Sequence, residues 1–124
     1  METIISNEAP SAIGPYSQAV VSNGVVFTSG QIPLSPETGE IVSGGVKEQT
    51  EQVIKNLKAV LNTAGSDISR VVKTTCFLAD MGDFAAFNEV YAGHFIGKPA
   101  RSCVAVRSLP KGALVEIEAV AEVI

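Results

Sequence analysis

The sequence predicts an α+β fold, one sheet with two helices packed on a single face, and three observations carry that prediction. Asn23-Gly24 sits between two short Val-rich runs, the chemistry of a tight hairpin. Residues 46–64 and 80–95 each space apolar side chains three and four apart, as one face of a helix requires. Residues 70–78, 99–104 and 115–119 are Val/Thr-rich or alternate their side chains with period two, as strands do. The order is then strand, strand, helix, strand, helix, strand, strand, with too few helices to cover both sheet faces.

Each element has its own signals. Pro10 makes residues 1–11 an extended edge segment rather than a helix. Tyr16 to Val21 and Val25 to Ser29 form the hairpin, Gly30 ends it, and two prolines and a glycine make residues 33–39 a surface loop. Val46, Val53, Leu57, Val60, Leu61 and Ala64 fall on one helical stripe, with Gln49, Gln52, Lys55 and Lys58 largely elsewhere, and Gly65 supplies a C-terminal cap. Asp80 is placed to cap the second helix, whose stripe of Phe84, Phe87, Tyr91 and Phe95 is aromatic; Phe84, Phe87 and Phe95 are expected in the core. On the strand that follows, Arg101 and Cys103 share one face, while Ser102, Val104 and Val106 point to the other. The loop 108–113 is short enough to fold the last strand back as its antiparallel neighbour. In a matching register, Arg101, Cys103 and Glu116 then share a pocket.

Composition bounds the function. At 124 residues one domain is expected, spanning 1–124. With 46% hydrophobic and 18% charged residues, an apolar sheet face is expected to be buried by identical subunits around a symmetry axis. A net charge of −4 offers no basic stripe to a phosphate backbone, so the expected partner is a small molecule, not nucleic acid. No apolar run reaches membrane-spanning length, no secretory signal is evident, and Cys76 and Cys103 fit no zinc spacing, so a cytoplasmic chain with reduced thiols is expected. A lone histidine, His94, makes no metal site, and Gly44-Gly45 lacks the Lys-Ser/Thr that follows a phosphate loop.

Three side chains carry candidate chemistry. Arg101 presents a planar fork of donors that grips a carboxylate through two parallel hydrogen bonds; on the residues alone, a salt bridge with a glutamate is the competing role. Glu116, between Val115 and Ile117, is a carboxylate whose partial burial would raise its pKa toward the range useful for moving protons, with solvated Glu118 as its local contrast. Cys103 beside a cation invites a nucleophilic role, but no base partner accompanies it, and shaping the pocket is the better reading. Cys76 reads as a small buried apolar residue.

Pro99-Ala100-Arg101-Ser102-Cys103-Val104, Leu109-Pro110-Lys111-Gly112 and Val115-Glu116-Ile117 closely resemble the C-terminal signature of the RidA family, also known as the YjgF family. Ala12-Ile13-Gly14-Pro15-Tyr16-Ser17-Gln18 and Thr28-Ser29-Gly30-Gln31-Ile32-Pro33 resemble its N-terminal motifs, so the resemblance covers almost the whole chain. It departs at Ala105, where family members commonly carry glutamate, and before Leu109-Pro110, where they commonly carry Ala-Arg.

The resemblance implies a chorismate-mutase-like fold assembled as a homotrimer with sites between subunits. It also implies hydrolysis of enamines and imines such as 2-aminoacrylate and 2-iminobutyrate to 2-keto acids and ammonia, with no cofactor. Arg101 would bind the substrate carboxylate and Glu116 would handle water. Tyr16, Ser29, Gly30, Asn88 and Cys103 would line the ligand site, with Gly30 presenting backbone and Tyr16 closing over it. The alternative is a trimeric regulatory protein that binds small carboxylates in the Arg101 pocket without turnover.

Overall fold

Asn23 and Gly24 adopt φ of 51° and 74°, the mirror-image turn whose twist matches that of the strands it joins. Those strands are β2 (Ala19–Ser22) and β3 (Val25–Thr28), and β1 (Glu2–Ile4) pairs along the outer side of β2. The computed structural model describes residues 1–124. β2 begins later than Tyr16 because the residues before it have other bonds to make. The Gln18 carboxamide accepts from Ser6 N–H at 2.6 Å and donates to the Pro10 carbonyl at 2.7 Å, while Tyr16 N–H turns back onto Gly14.

Helix α1 (Val46–Thr63) follows the predicted stripe and ends as expected, with Ala64 at the C-cap and Gly65 at φ 82°. Its start is closed by Glu48, whose carboxylate accepts from Gly45 N–H at 2.7 Å. Val53, Ile54, Leu57, Val60 and Leu61 are fully buried. Gln49 departs from its expected place on the polar side: it is buried, and its Oε1 accepts from Leu114 N–H at 2.8 Å. Asn56 is buried too, and its amide donates to the carbonyls of Ile32 and Leu34 at 3.2 and 3.0 Å. A buried polar group of this kind pins the loop that it satisfies.

β4 (Val71–Leu78) leads into α2 (Phe84–His94) and then β5 (Ala100–Ala105) and β6 (Val115–Glu122). Asp80 caps a short 3-10 turn at Met81–Asp83, accepting from Gly82 N–H, so α2 proper starts at Phe84. The sheet order is β1-β2-β3-β6-β4-β5.

This order corrects one sequence expectation. The last strand is not the neighbour of β5: β4 lies between them, parallel to β5 and antiparallel to β6. The physical reason is twofold. A strand–helix–strand crossover such as β4–α2–β5 delivers parallel neighbours. In addition, β6 carries Val115, Ile117, Ala119 and Ala121, all buried, which only a central position can cover, whereas β5 is a largely exposed edge. Both helices pack on the face made by these residues with Val26, Thr74, Cys76 and Leu78. The opposite face, with Phe27 45% and Val104 46% exposed, has no layer over it within the chain.

Candidate active site

Period-two alternation sends Arg101 and Cys103 to the helix side of β5, where they align with Thr74 and Cys76 of β4. Arg101 therefore lies along α2. Its Nη1 donates to Asn88 Oδ1 at 2.6 Å, and its guanidinium carbon sits 4.8 Å from the ring centre of Tyr91 and 5.5 Å from that of Phe84. Phe84, Asn88 and Tyr91 are spaced four and three apart, so a single helical stripe supplies all three contacts. The chain's two ion pairs are Lys47–Glu89 and His94–Glu51; neither uses Arg101, whose remaining donors have no carboxylate partner in the chain. A groove of about 840 Å³ runs from Arg101 and Asn88 past Tyr91 to Ile96 and Pro99.

Glu116 aligns with Phe77 of β4, and Phe77 with Val104 of β5, so its side chain leaves the opposite face of the sheet. Burial pushes its carboxyl above the ordinary value, and the Glu118 carboxylate two residues on adds to the shift. Gly30 is packed directly against it: a Cβ there would lie 2.8 Å from the Glu116 carboxyl carbon. The approach is held by paired backbone bonds, Gln31 N–H to the Ile117 carbonyl at 2.8 Å and Ile117 N–H to the Gln31 carbonyl at 3.1 Å, and by the Asn56 amide beneath the same loop. Tyr16, 54% exposed, and Gly30 line one small cleft of about 60 Å³. Ser29 donates from its hydroxyl to the Ser17 carbonyl at 2.6 Å, tying the two arms of the hairpin's open end.

The predicted site residues thus fall into two groups within the chain. Arg101, Asn88 and Cys103 meet on the helix side; Gly30 and Glu116 meet on the other, with Tyr16 and Ser29 alongside Gly30. The single pocket expected for Arg101, Cys103 and Glu116 does not form in one chain, because β4 separates the strands and the register puts Arg101 and Glu116 on opposite faces.

Burial raises the Cys103 thiol against the opposing pull of Arg101, which leaves it a poor nucleophile at neutral pH. Cys76, fully buried, is pushed up to about 12. Two residues around Arg101 were not among the sequence candidates. Tyr91 reads in sequence as one more member of an aromatic stripe, and Thr74 as an ordinary strand threonine, yet their hydroxyls are 2.7 Å apart and the Tyr91 ring lies under the guanidinium. The signal for them was only the spacing of Phe84 and Tyr91 around Asn88. His94 bridges Lys58 and Glu51 between the helices, away from both groups.

Residues 6–123 match the family described as Endoribonuclease L-PSP. A RutC family protein, y4sK, of Sinorhizobium fredii is 54% identical, with 97% of this chain and 96% of that protein aligned. The mouse 2-iminobutanoate/2-iminopropanoate deaminase is 50% identical, over 97% of this chain and 90% of that protein. Among solved structures, that of E. coli TdcF with bound serine superposes with a TM-score of 0.93 at 44% identity, covering 98% of each chain. Fold, motif order and near-full-length identity agree, and the chain belongs to the Endoribonuclease L-PSP family, the RidA/YjgF family of its sequence motifs.

Proposed function

We propose that this chain is a 2-iminobutanoate/2-iminopropanoate deaminase, working as a cytoplasmic homotrimer on the imines and enamines that PLP-dependent dehydratases release. The observation that carries the reading is the state of Arg101: oriented by Asn88 and two aromatic rings, it has no anion of its own to bind. The half-buried Glu116 carboxylate supplies the complementary chemistry on the opposite sheet face. Arg101 and Glu116 of one chain face apart, so each would work with its counterpart on a neighbouring subunit, the arginine offered from the β5 edge of one sheet and the glutamate from the uncovered face of the next. The relatives lend weight: one is named for these imines, and another was solved with serine bound, and both molecules carry a carboxylate next to the nitrogen-bearing carbon.

In this reading Arg101 holds the carboxylate and so fixes the imine carbon. Glu116 takes a proton from water as the oxygen adds to the carbon of the protonated imine, whose nitrogen becomes a neutral amine. Glu116 returns the proton to nitrogen as the C–N bond breaks, the hydroxyl of the carbinolamine loses its own proton to solvent, and keto acid and ammonia leave. One carboxylate with a raised pKa serves both steps. Tyr16, Ser29 and Gly30 would border the reacting end, and Cys103 and Asn88 the carboxylate end. A ribonuclease reading fits poorly with a net charge of −4 and a single histidine already engaged between Lys58 and Glu51.

The test is ammonia and keto-acid release from imines generated in place by a threonine dehydratase. Wild type is expected to shorten imine lifetime, and folded Arg101→Ala and Glu116→Gln variants to lose that effect. A wild type that leaves the lifetime unchanged yet binds keto acids through Arg101 would instead establish the regulatory carboxylate binder.

A further inference from the structure

We infer that Tyr91 and Thr74 are positioning residues for Arg101, their buried hydroxyl pair fixing the aromatic floor on which the guanidinium lies. The inference deepens the reading of Arg101 as the carboxylate-binding group and rests on it. Thr74 is fully buried and stands directly opposite Arg101 across the β4–β5 pair. Tyr91 is stacked on Phe95 with ring centres 4.3 Å apart, and Phe87 is 5.5 Å away, so the ring is part of the core.

Core packing alone would be satisfied by phenylalanine at this position. The hydroxyl adds one thing, a 2.7 Å bond to Thr74, which sets the ring's place along its long axis relative to the strand that faces Arg101. That matters because Asn88 holds only one guanidinium nitrogen, Nη1, and leaves the plane free to pivot about it. A bidentate grip on a carboxylate requires that plane to be set beforehand. The ring 4.8 Å beneath the guanidinium carbon sets it.

The experiment compares Tyr91→Phe, Thr74→Val, Thr74→Ser and the Tyr91→Phe/Thr74→Val double variant, as intact oligomers. Three quantities are measured: KM and kcat for imine hydrolysis, Kd for pyruvate by calorimetry, and the order of the Arg101 Nε–H bond by NMR relaxation. Tyr91→Phe and Thr74→Val are each expected to raise KM and Kd about fivefold, the worth of one net hydrogen bond, and to lower Arg101 order, with kcat changed less than about twofold. The double variant should bind no worse than either single variant, since each breaks the same bond. Thr74→Ser, which keeps the hydroxyl, should restore binding.

A fall in melting temperature with Kd and Arg101 order unchanged would overturn the inference and leave the pair a purely structural bond. If wild type neither hydrolyses imines nor binds pyruvate, the functional reading fails separately. Arg101 order in Tyr91→Phe then still decides the positioning role: lowered upholds it, unchanged overturns it.

Discussion

Arg101 and Glu116 stand on the two strands that flank β4, and their side chains leave opposite faces of the sheet, one over Thr74 and the other over Phe77. A site built from both therefore takes one residue from each of two chains. Inactive Arg101→Ala and Glu116→Gln proteins, unfolded together and refolded as random mixed oligomers, should recover about a quarter of wild-type activity, because that fraction of interfaces joins an intact arginine to an intact glutamate. No recovery in mixed oligomers confirmed by mass spectrometry would mean that the two residues do not act across a subunit boundary.

The raised pKa of Glu116 has a signed effect on stability. Between its unfolded and folded values the carboxyl binds more protons in the folded chain, so stability falls as pH rises through that window and stays reduced above it. Glu116→Gln removes this charged-state penalty. Its melting temperature should exceed that of wild type at neutral pH, and the difference should shrink below about pH 4, where the unfolded carboxyl is also protonated. Equal melting temperatures at both pH values would show that the carboxylate is not destabilised by folding.

Gly30→Ala tests the close approach to Glu116. A methyl 2.8 Å from the carboxyl carbon must push that carboxylate aside. A displacement of this kind is expected to lower kcat about tenfold to hundredfold with little change in KM, since Arg101 is untouched. Overpacking should reduce stability by about 1–3 kcal/mol. Adding Glu116→Asp, which withdraws the carboxylate by one methylene, should return most of the stability and none of the turnover.

The two thiols should differ in reactivity. Cys103 is partly exposed but its thiol is raised by burial, so alkylation by iodoacetamide should be slow near about pH 7 and accelerate as the solution becomes alkaline. Cys76, buried and with a pKa of about 12, should label only when the chain unfolds. Peptide mass spectrometry separates the two, and rapid labelling of Cys103 at neutral pH would contradict the burial effect.

What could be read in advance follows the range of the interactions involved. The Asn23-Gly24 hairpin, the α1 stripe and the Gly65 cap depend on neighbours within a few residues, and each stands where expected. The placement of β6 depends on which strand best covers Val115, Ile117, Ala119 and Ala121, a comparison among distant segments that loop length alone misjudged. The site divides in the same way. Alternation along β5 correctly put Arg101 and Cys103 on one face, but the requirement for glycine at position 30 comes from Glu116, far along the chain, and not from its own φ. Gln49 and Asn56 look polar and solvated in a helical projection. Their burial answers backbone groups of Leu114, Ile32 and Leu34 that only tertiary structure brings to the helix.

The central position of β6 also bears on how the chain is made. Until Val115–Glu122 leaves the ribosome, the only strand pairs available are β1–β2–β3 and β4–β5, two separate ribbons with no hydrogen bonds between them. Each then presents to the cell the edge that β6 will later occupy. β6 follows in sequence all the strands that it joins, so the sheet closes only once it has been made, and a chain cut short before Val115 is left with the β3 and β4 edges open and a tendency to aggregate.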